Sequence, residues 1–508
     1  EGEPAVVPGT YLNGFYEERP LPYAERGYGY PEQGQTVVNV TDGKLIRLLV
    51  KDSPLDLNYG EILDHRRTLD LRAGVLRRIT DWRSPGGRSV RVTSTRLVSL
   101  SRRSIAAVEY QVEVIDDLGD LYVALQSDLL ANETAHGESA DPRAAAALDK
   151  PLQAEFGVGR GRRAVLVHRT TRSRLRMAAG MDHDVVVPDT STEDLLANGD
   201  LARYTLAARI PPGGSLKLVK YLAYGWSSRR SGAALRDQVE GALATAKLAG
   251  FDRLLREQRE LLDQHWDEAD VEIEGDDELQ QAVRVGMFHV LQAGLRAERQ
   301  PIPAKGLTGP GYDGHTFWDT ETYVLPVLTY TAPEAARDAL RWRHSILELA
   351  RERARVLGLR GAVFPWRTIR GEETSGYWPA GTAAFHINAD IADAVAAVRA
   401  GRRPPRPGAA PPPPPPRVEL ARETSLPACA PAATGSARLR STLPTPWGSS
   451  GSGFGSAGPC WSAAAGRPRS GVTIRWSPPA CIAPSPADPR SRTGARSTTA
   501  WTPPATPG

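Results

Sequence analysis

The first 400 residues of this 508-residue chain contain no cysteine. This absence excludes a disulfide framework, a cysteine-based metal site and a thiol nucleophile from that part of the chain. No apolar run of about 18 residues occurs, and the chain starts with neither a basic nor an apolar segment, so nothing indicates a membrane span or signal peptide. We therefore expect a cytoplasmic protein without a membrane partner. An initiator methionine is also lacking, and we expect residues to be missing at both ends.

Residues 401–508 differ in composition from the rest of the chain. They hold 23 of the 42 prolines, 13 arginines, three acidic residues and all three cysteines, but no lysine, tyrosine or methionine. Because this tail carries a net charge of +10 and the whole chain +4, residues 1–400 carry −6. The net positive charge of the chain therefore comes from the tail and gives no reason to expect a nucleic-acid partner.

Two explanations of the tail are open. A proline-rich disordered linker fits its composition. A shift of the reading frame after about residue 398 also fits, because out-of-frame codons of a GC-rich gene encode mainly Ala, Arg, Gly and Pro. We favour the frameshift, since the change begins inside a helical pattern and tryptophans are scattered through the tail. In both cases we expect no packed core there.

Short extended runs dominate residues 36–227. The turn Thr-Asp-Gly at 41–43 separates two such runs and predicts a β-hairpin. Similar runs bounded by turn residues recur at 89–94, 105–115, 121–125, 164–168, 204–210 and 216–224. This pattern predicts a large antiparallel β-sandwich over residues 1–228.

The hydrophobic period becomes helical at Ser231. Residues 233–248 and 251–266 predict two helices, and residues 271–273 form a short extended piece. Together they predict a helical linker over residues 229–274.

Further helices are predicted at 276–296, 332–357 and 386–398. They alternate with loops that are rich in aromatic and acidic residues, which is typical of a helical ring whose loops line a pocket. Residues 275–400 supply only a sector of such a ring. The predicted fold class is thus α+β multidomain: sandwich, helical linker, partial helical ring and a disordered Pro/Arg-rich tail over 401–508.

The most informative stretch is residues 311–321, Gly-Tyr-Asp-Gly-His-Thr-Phe-Trp-Asp-Thr-Glu. It places three aromatic residues, three acids and a histidine just before a helical pattern. Trp318 offers a flat apolar face to the C–H surface of a sugar, and Asp319 offers acceptors to its hydroxyls. The stretch therefore predicts a carbohydrate site, with the closing of a helix N-terminus as the structural alternative.

Arg343 falls in the apolar stripe of the helix predicted at 332–357. A buried guanidinium needs a carboxylate, so this placement indicates an ion pair or a ligand site, unless the head group reaches the surface. Glu321, Glu372 and Glu373 are the candidate partners, and each could instead bind a sugar hydroxyl or cap a helix. We expect no metal site and four substrate-binding residues: Trp318, Asp319, Arg343 and Glu372.

Two further features carry equally weighted alternatives. His386 and Asp390 are four residues apart on a predicted helix and form either a polar couple in the pocket or an ordinary packing pair. Lys305 either reaches the site or faces solvent.

Four separate motifs resemble glycoside hydrolase family 65, which contains maltose, trehalose, kojibiose and nigerose phosphorylases and some hydrolases. The motifs are residues 9–16 (Gly-Thr-Tyr-Leu-Asn-Gly-Phe-Tyr), 302–309 (Ile-Pro-Ala-Lys-Gly-Leu-Thr-Gly), 314–321, and 377–382 together with 386–391. The resemblance covers residues 1–398, in order and at suitable spacing. It implies that the partial helical ring is an incomplete (α/α)6 barrel, and that family members begin upstream of Glu1.

The resemblance implies a function as well. It implies inverting cleavage of an α-glucosidic disaccharide, with inorganic phosphate as co-substrate, no cofactor, and a homodimer for the intact enzyme. Trp318 and Asp319 match the pair that holds glucose in the donor subsite. The family's general acid is a glutamate in a later loop that has no counterpart here, so no catalytic residue is assigned and we expect the chain as written to be inactive. The alternatives are a non-catalytic sugar-binding fragment and an α-glucoside hydrolase, and the linkage stays open.

Overall fold

The computed structural model describes residues 9–21, 27–133, 148–188, 191–306, 308–400 and a strand at 474–476. An N-terminal β-sandwich is followed by a helical region, which confirms that part of the predicted fold. The predictions for the rest of the tail lie outside the described residues. No helix in the described part of the chain combines the length and apolar character needed to span a membrane.

The strands form three antiparallel groups before the first helix. In chain order they are β1 (Tyr16–Pro20), β2 (Gln33–Val37), β3 (Ile46–Val50), β4 (Ser53–Pro54), β5 (Glu61–Asp70), β6 (Val75–Arg83), β7 (Ser89–Val98), β8 (Ile105–Val114), β9 (Leu121–Leu130), β10 (Leu152–Arg160), β11 (Arg163–Thr170), β12 (Arg176–Val186), β13 (Ser191–Ala197), β14 (Leu201–Ile210) and β15 (Ser215–Ser227). Eight strands form one sheet in the order β10-β11-β12-β15-β8-β7-β6-β5. Five form a second sheet in the order β13-β14-β9-β3-β4, and β1 pairs with β2.

The helical region follows β15. Its helices are α1 (Gly232–Ala249), α2 (Phe251–Ala269), α3 (Asp277–Ala297), α4 (Leu325–Thr331), α5 (Pro333–Ser345), α6 (Leu347–Val356), α7 (Trp378–Ala383) and α8 (His386–Ala400). Short strands β16 (Val271–Ile273) and β19 (Ile474–Trp476) pair with each other, as do β17 (Thr316–Phe317) and β18 (Arg367–Thr368). Ser231 and Asp276 cap α1 and α3 by accepting main-chain N–H bonds, as expected of these residue types.

Strands β11, β12 and β15 of the larger sheet are buried on both faces. On one face of this sheet Val112 and Leu216 pack with Leu125 and Leu206 of the smaller sheet. On the other face α1 covers β11, β12 and β15. A strand buried on both sides has no polar face, which explains the continuous apolar run in β11.

The prediction of a hairpin around the turn at 41–43 is wrong. The strand before this turn, β2, pairs with β1, whereas the strand after it, β3, pairs with β4 and β9. Gly43 serves close packing rather than a hairpin turn, because a Cβ atom there would lie 2.5 Å from the Leu222 side chain. Asp42 uses one carboxylate oxygen to accept the main-chain N–H of Lys44 at 2.7 Å.

The single helix predicted at 332–357 is also wrong. The structure has two helices, α5 and α6, which are separated at Ile346 with φ −97° and ψ 9°. The Ser345 hydroxyl donates to the Trp342 carbonyl at 2.7 Å and so competes with the helical hydrogen bonds at this point. The interruption leaves room for Gly371, where a Cβ atom would lie 2.8 Å from the Ile346 side chain.

The hairpin of β1 and β2 connects the sandwich with the helical region. It packs against a tight turn, Gly311–Gly314, that precedes β17. Gly314 has φ +73°, and a Cβ atom there would lie 2.6 Å from Cβ of Val37 in β2. Only glycine allows this backbone conformation and this approach together.

Replacing Gly314 tests the packing of the hairpin. Gly314→Ala should lower the free energy of unfolding by about 1–2 kcal/mol for the left-handed backbone and by a further 1–3 kcal/mol or so for the clash with Val37. Gly213→Ala is the matched control, because Gly213 has φ +69° and open space around it. Urea unfolding followed by tryptophan fluorescence measures both. Equal losses in the two variants would show that the approach to Val37 is unimportant.

Candidate carbohydrate-binding site

An open cavity of about 530 Å³ lies beside β17, β18 and α7. Its lining combines four aromatic residues, a proline and three alanines with three further polar side chains: Tyr312, Phe317, Trp366, Tyr377, Pro379, Ala380, Ala383, Ala384, Arg367, Ser375 and His386. This volume is in the range of small-molecule pockets. Aromatic faces with a few polar groups are the surface that binds a sugar ring.

Trp318 contacts two of the lining residues. Its ring meets the His386 ring edge-to-face, with centroids 4.8 Å apart and an interplanar angle of 89°. It also meets Trp366 at 6.1 Å, and Trp366 meets His386 at 5.9 Å. Three aromatic rings from three separate segments thus form one cluster, of which Trp366 and His386 line the cavity. His386 therefore contacts the predicted site residue, whereas the structure does not pair it with Asp390.

Asp319 is exposed next to the half-buried Trp318. It precedes a π-helical turn, Thr320–Val324, but its side chain makes no capping hydrogen bond. The Trp318 carbonyl, however, accepts the main-chain N–H of Glu321 at 3.0 Å, so the structural alternative, in which the pair closes a helix N-terminus, also stays open. The binding roles of both residues stay predictions.

Arg343 forms a buried ion pair with Glu321. Its Nε and Nη2 atoms lie 2.6 Å and 2.9 Å from the two carboxylate oxygens, and both side chains are almost fully buried. Nη2 also donates to the Phe317 carbonyl at 3.0 Å, directly before Trp318 in the chain. The ion pair, the ligand site and the surface-reaching head group were the alternatives for Arg343, and the structure contains the ion pair. This residue supports the backbone that presents Trp318 and does not line the cavity.

Of the three candidate partners, Glu321 is the one that pairs with Arg343. Glu372 instead accepts a hydrogen bond at its Oε2 from Nε2 of Gln35 at 3.0 Å. It lines a second cavity of about 370 Å³, which Gln35 and Arg353 also line. The sequence could not separate Glu372 from Glu321, because the choice depends on how the loop after α6 folds back.

Glu373 ties its own loop together. Its two carboxylate oxygens accept main-chain N–H bonds from Trp366 at 2.6 Å and from Ser375 at 2.7 Å. Burial raises the pKa of this carboxyl group. Glu373 therefore bonds to the main chain of Trp366, a member of the aromatic cluster.

The turn before β17 holds a strained backbone. Tyr312 and Asp313 have φ values of 56° and 57°, in the left-handed region that side chains disfavour. Two bonds from the hairpin hold the buried Asp313 carboxylate: Thr36 donates at 3.2 Å, and Arg19 lies at 3.5 Å. Strain that the surroundings maintain is common at functional sites. Lys305, on the neighbouring loop, lies with its Nζ 5.7 Å from the Tyr312 ring centroid.

His315 joins this turn to β2. It is buried, and its Nε2 lies 2.6 Å from the main-chain carbonyl of Gln35, to which it donates. Burial, and secondarily the charge of Arg367, lower its pKa to about 4, so the ring is neutral at pH 7. Sequence reasoning missed both His315 and Gln35 as contributors. The alternation of β2 could place Gln35 on a face, but nothing local indicates a partner about 280 residues away.

Some buried polar atoms without a hydrogen-bond partner lie at the candidate site. Seven of the eleven in the described part of the chain belong to residues between His315 and Asp390. They include the indole nitrogen of Trp318 and Nε of Arg367. Such atoms are rare in folded proteins, and each calls for an explanation such as a functional role. No cluster of three His, Cys, Asp or Glu side chains suited to a metal ion occurs among the described residues.

The ion pair of Arg343 and Glu321 should stabilise the site only as a pair. Arg343→Met leaves a buried carboxylate without a partner and should cost about 3–5 kcal/mol, whereas Arg343→Met combined with Glu321→Leu should cost far less. The control Arg341→Met removes an exposed pair with Asp338 on the same helix and should cost less than about 1 kcal/mol. Urea unfolding measures all three. A double variant as unstable as the single one would contradict this account.

Comparison with known proteins identifies the family of this chain. The sequence matches the N-terminal domain of glycosyl hydrolase family 65 over residues 1–265 and the central catalytic domain of that family over residues 284–400. It is 63% identical over 392 residues to an uncharacterized glycosyl hydrolase of Mycobacterium tuberculosis (strain CDC 1551 / Oshkosh), covering 77% of this chain and 50% of that protein. It is 38% identical over 387 residues to an alpha,alpha-trehalose phosphorylase of Thermoanaerobacter brockii, covering 75% and 49%.

A solved structure agrees with these sequence matches. A putative kojibiose phosphorylase from human microbiome superposes with a TM-score of 0.68 at 26% identity, covering 77% of this chain and 50% of that one. The chain spans about half the length of the curated relatives it matches. The two domain matches cover well over half of the chain, in the order that the motifs predict. The chain therefore belongs to glycosyl hydrolase family 65.

Proposed function

We propose that the described residues form the glucose-binding part of a disaccharide phosphorylase-type site. In this proposal the helices from α3 to α8 are part of an (α/α)6 barrel, and the sugar occupies the cavity beside Trp366 and His386. The observation that carries the proposal is the contact of Trp318 with Trp366 and His386, which both line that cavity. Relatives named as trehalose, kojibiose and maltose phosphorylases support the substrate class.

The site has the chemistry to hold a sugar. The rings of Trp366 and Tyr377 offer apolar faces to C–H groups, and Ser375 and Arg367 offer polar atoms to hydroxyls. Asp319 is exposed and offers a carboxylate beside Trp318. The ion pair of Arg343 with Glu321 keeps the Trp318 segment in place, which preserves the geometry that binding needs.

Among the described residues, we assign no carboxylic acid at this site as the proton donor. Inverting cleavage needs a carboxylic acid at the leaving oxygen and a nucleophile on the opposite face of the sugar, here inorganic phosphate. Glu373 has a raised pKa, but both its oxygens accept main-chain N–H bonds and are committed to the loop. We therefore propose that this chain binds an α-glucoside without cleaving it. The homodimer and the cytoplasmic location stay predictions.

Sugar binding should depend on Trp318 and Asp319. Trp318→Ala removes an apolar face and Asp319→Asn an ionised acceptor, and each should weaken binding about tenfold or more. Asp117→Asn makes the same change at an exposed turn of the sandwich and should leave binding unchanged. Isothermal titration with trehalose, kojibiose and maltose measures the three affinities. The assignment of the donor site fails if Asp319→Asn behaves like its control.

Turnover should be absent from the purified chain. General acid catalysis contributes about 10²- to 10⁴-fold, and positioning by aromatic side chains cannot replace proton donation. Incubation with each disaccharide and phosphate should release neither glucose nor glucose 1-phosphate above background. The supply of the matching C-terminal half from a full-length relative should restore release. Robust turnover by the chain alone would favour the hydrolase alternative and an acid within the described residues.

A further inference from the structure

Gln35 lies in the middle of β2 and is almost fully buried, with 4% of its surface exposed. Its side-chain oxygen accepts the main-chain N–H groups of Ile369 at 2.8 Å and Arg370 at 3.0 Å. Its side-chain nitrogen donates to Glu372 at 3.0 Å. Its main-chain carbonyl accepts from His315 at 2.6 Å. One residue of the N-terminal hairpin therefore bonds to two distant segments of the helical region.

These two segments form the candidate site. The segment at 315–318 leads through β17 to Trp318, and the segment at 366–373 begins with Trp366 and continues through β18. Strands β17 and β18 pair at Thr316 with Thr368 and at Phe317 with Arg367. This pairing is only two residues long, so it cannot by itself fix the distance between the segments. Gln35 adds bonds to both segments from outside.

The bonds of Gln35 are specific to a side-chain amide. Two consecutive main-chain N–H groups need an acceptor, and the carboxylate of Glu372 needs a donor. An apolar side chain of the same length would fill the space but leave the two main-chain N–H groups without this acceptor, which is costly at a buried position. Glu372 is partly exposed and would keep Arg370 as a partner at 3.4 Å. The Thr368 hydroxyl closes the turn by accepting the N–H of Gly371 at 2.7 Å, and it lies 3.4 Å from the Gln35 oxygen.

We infer that Gln35 is a positioning residue for sugar binding. It holds the two segments so that Trp318 contacts Trp366, which lines the cavity, and a strand outside the helical region thereby helps to shape the site. The inference rests on the proposed function, because it assigns the purpose of this arrangement to the sugar. Sugar binding then depends on the N-terminal hairpin as well as on the helical region.

Four variants of the whole chain test the inference. Gln35→Leu removes both the acceptor and the donor. Gln35→Glu keeps the acceptor for the two N–H groups but faces the carboxylate of Glu372, and adding Glu372→Gln to it exchanges the two groups and restores a donor to the contact. Gln33→Leu is the control, because Gln33 is exposed two residues earlier on the same strand face.

Two measurements separate positioning from binding. Amide hydrogen exchange reports the order of residues 367–375 without sugar, and isothermal titration reports the affinity for trehalose, kojibiose and maltose. Gln35→Leu and Gln35→Glu should each speed exchange in this loop and weaken binding about tenfold, with the sandwich core unchanged. The reciprocal pair should recover loop protection to within about threefold of the original chain. Gln33→Leu should change neither quantity.

Several results would overturn the inference. Loop exchange that stays at its original rate in Gln35→Leu would show that Gln35 does not order the loop, as would a reciprocal pair that recovers nothing. Faster loop exchange with unchanged sugar affinity would show that the loop is not positioned for binding. If the original chain binds no disaccharide, the proposed function fails, and the exchange data still decide whether Gln35 orders the loop. If Gln35→Leu does not fold, the comparison of Gln35→Glu with the reciprocal pair decides.

Discussion

The candidate site depends on hydrogen bonds that cross from the β1 and β2 hairpin to the helical region. The turn before β17 cannot hold its shape alone, because Tyr312 and Asp313 adopt left-handed conformations that each cost about 1–2 kcal/mol. Bonds from Thr36 and Arg19 to Asp313 offset this cost and keep the turn in one state. The segment that presents Trp318 is therefore shaped by a hairpin far away in the sequence. The N-terminal part of the chain therefore contributes contacts that shape the candidate site.

Polar groups act together with apolar packing at this junction, and within the helical region a buried ion pair fixes the segment that presents Trp318. A buried ion pair such as Arg343 with Glu321 contributes little net stability, because desolvation of both charges opposes their attraction. Its geometry is nevertheless specific, since the guanidinium bonds to two carboxylate oxygens and a main-chain carbonyl in one plane. Apolar contacts would tolerate small shifts of the segment. A pocket that must fit a sugar ring gains more from fixed geometry than from a larger stabilising energy.

The sequence predicted those features that depend on neighbouring residues. Alternation and helical periods indicated the sandwich and the helices α1, α2, α3 and α8, with end points within a few residues. Predictions failed where a distant contact decides the outcome. Gly43 packs against Leu222 instead of turning a hairpin, and Ile346 interrupts a helical pattern where Gly371 approaches. Arg343 was recognised as inward-facing, but its partner among three glutamates was set by loop folding. Gln35 had no local signal at all.

The position of the candidate site also explains how binding and catalysis can reside in separate parts of a chain. Rate enhancement comes from interactions that are stronger in the transition state than in the bound substrate. Under the proposed function, stacking on Trp366 acts on a sugar in both states to a similar extent, so this ring holds the substrate without lowering the barrier. Proton donation acts only as the glycosidic bond breaks. The proposed binding therefore requires only the rings and their supporting hairpin, whereas the reaction requires a correctly placed acid as well.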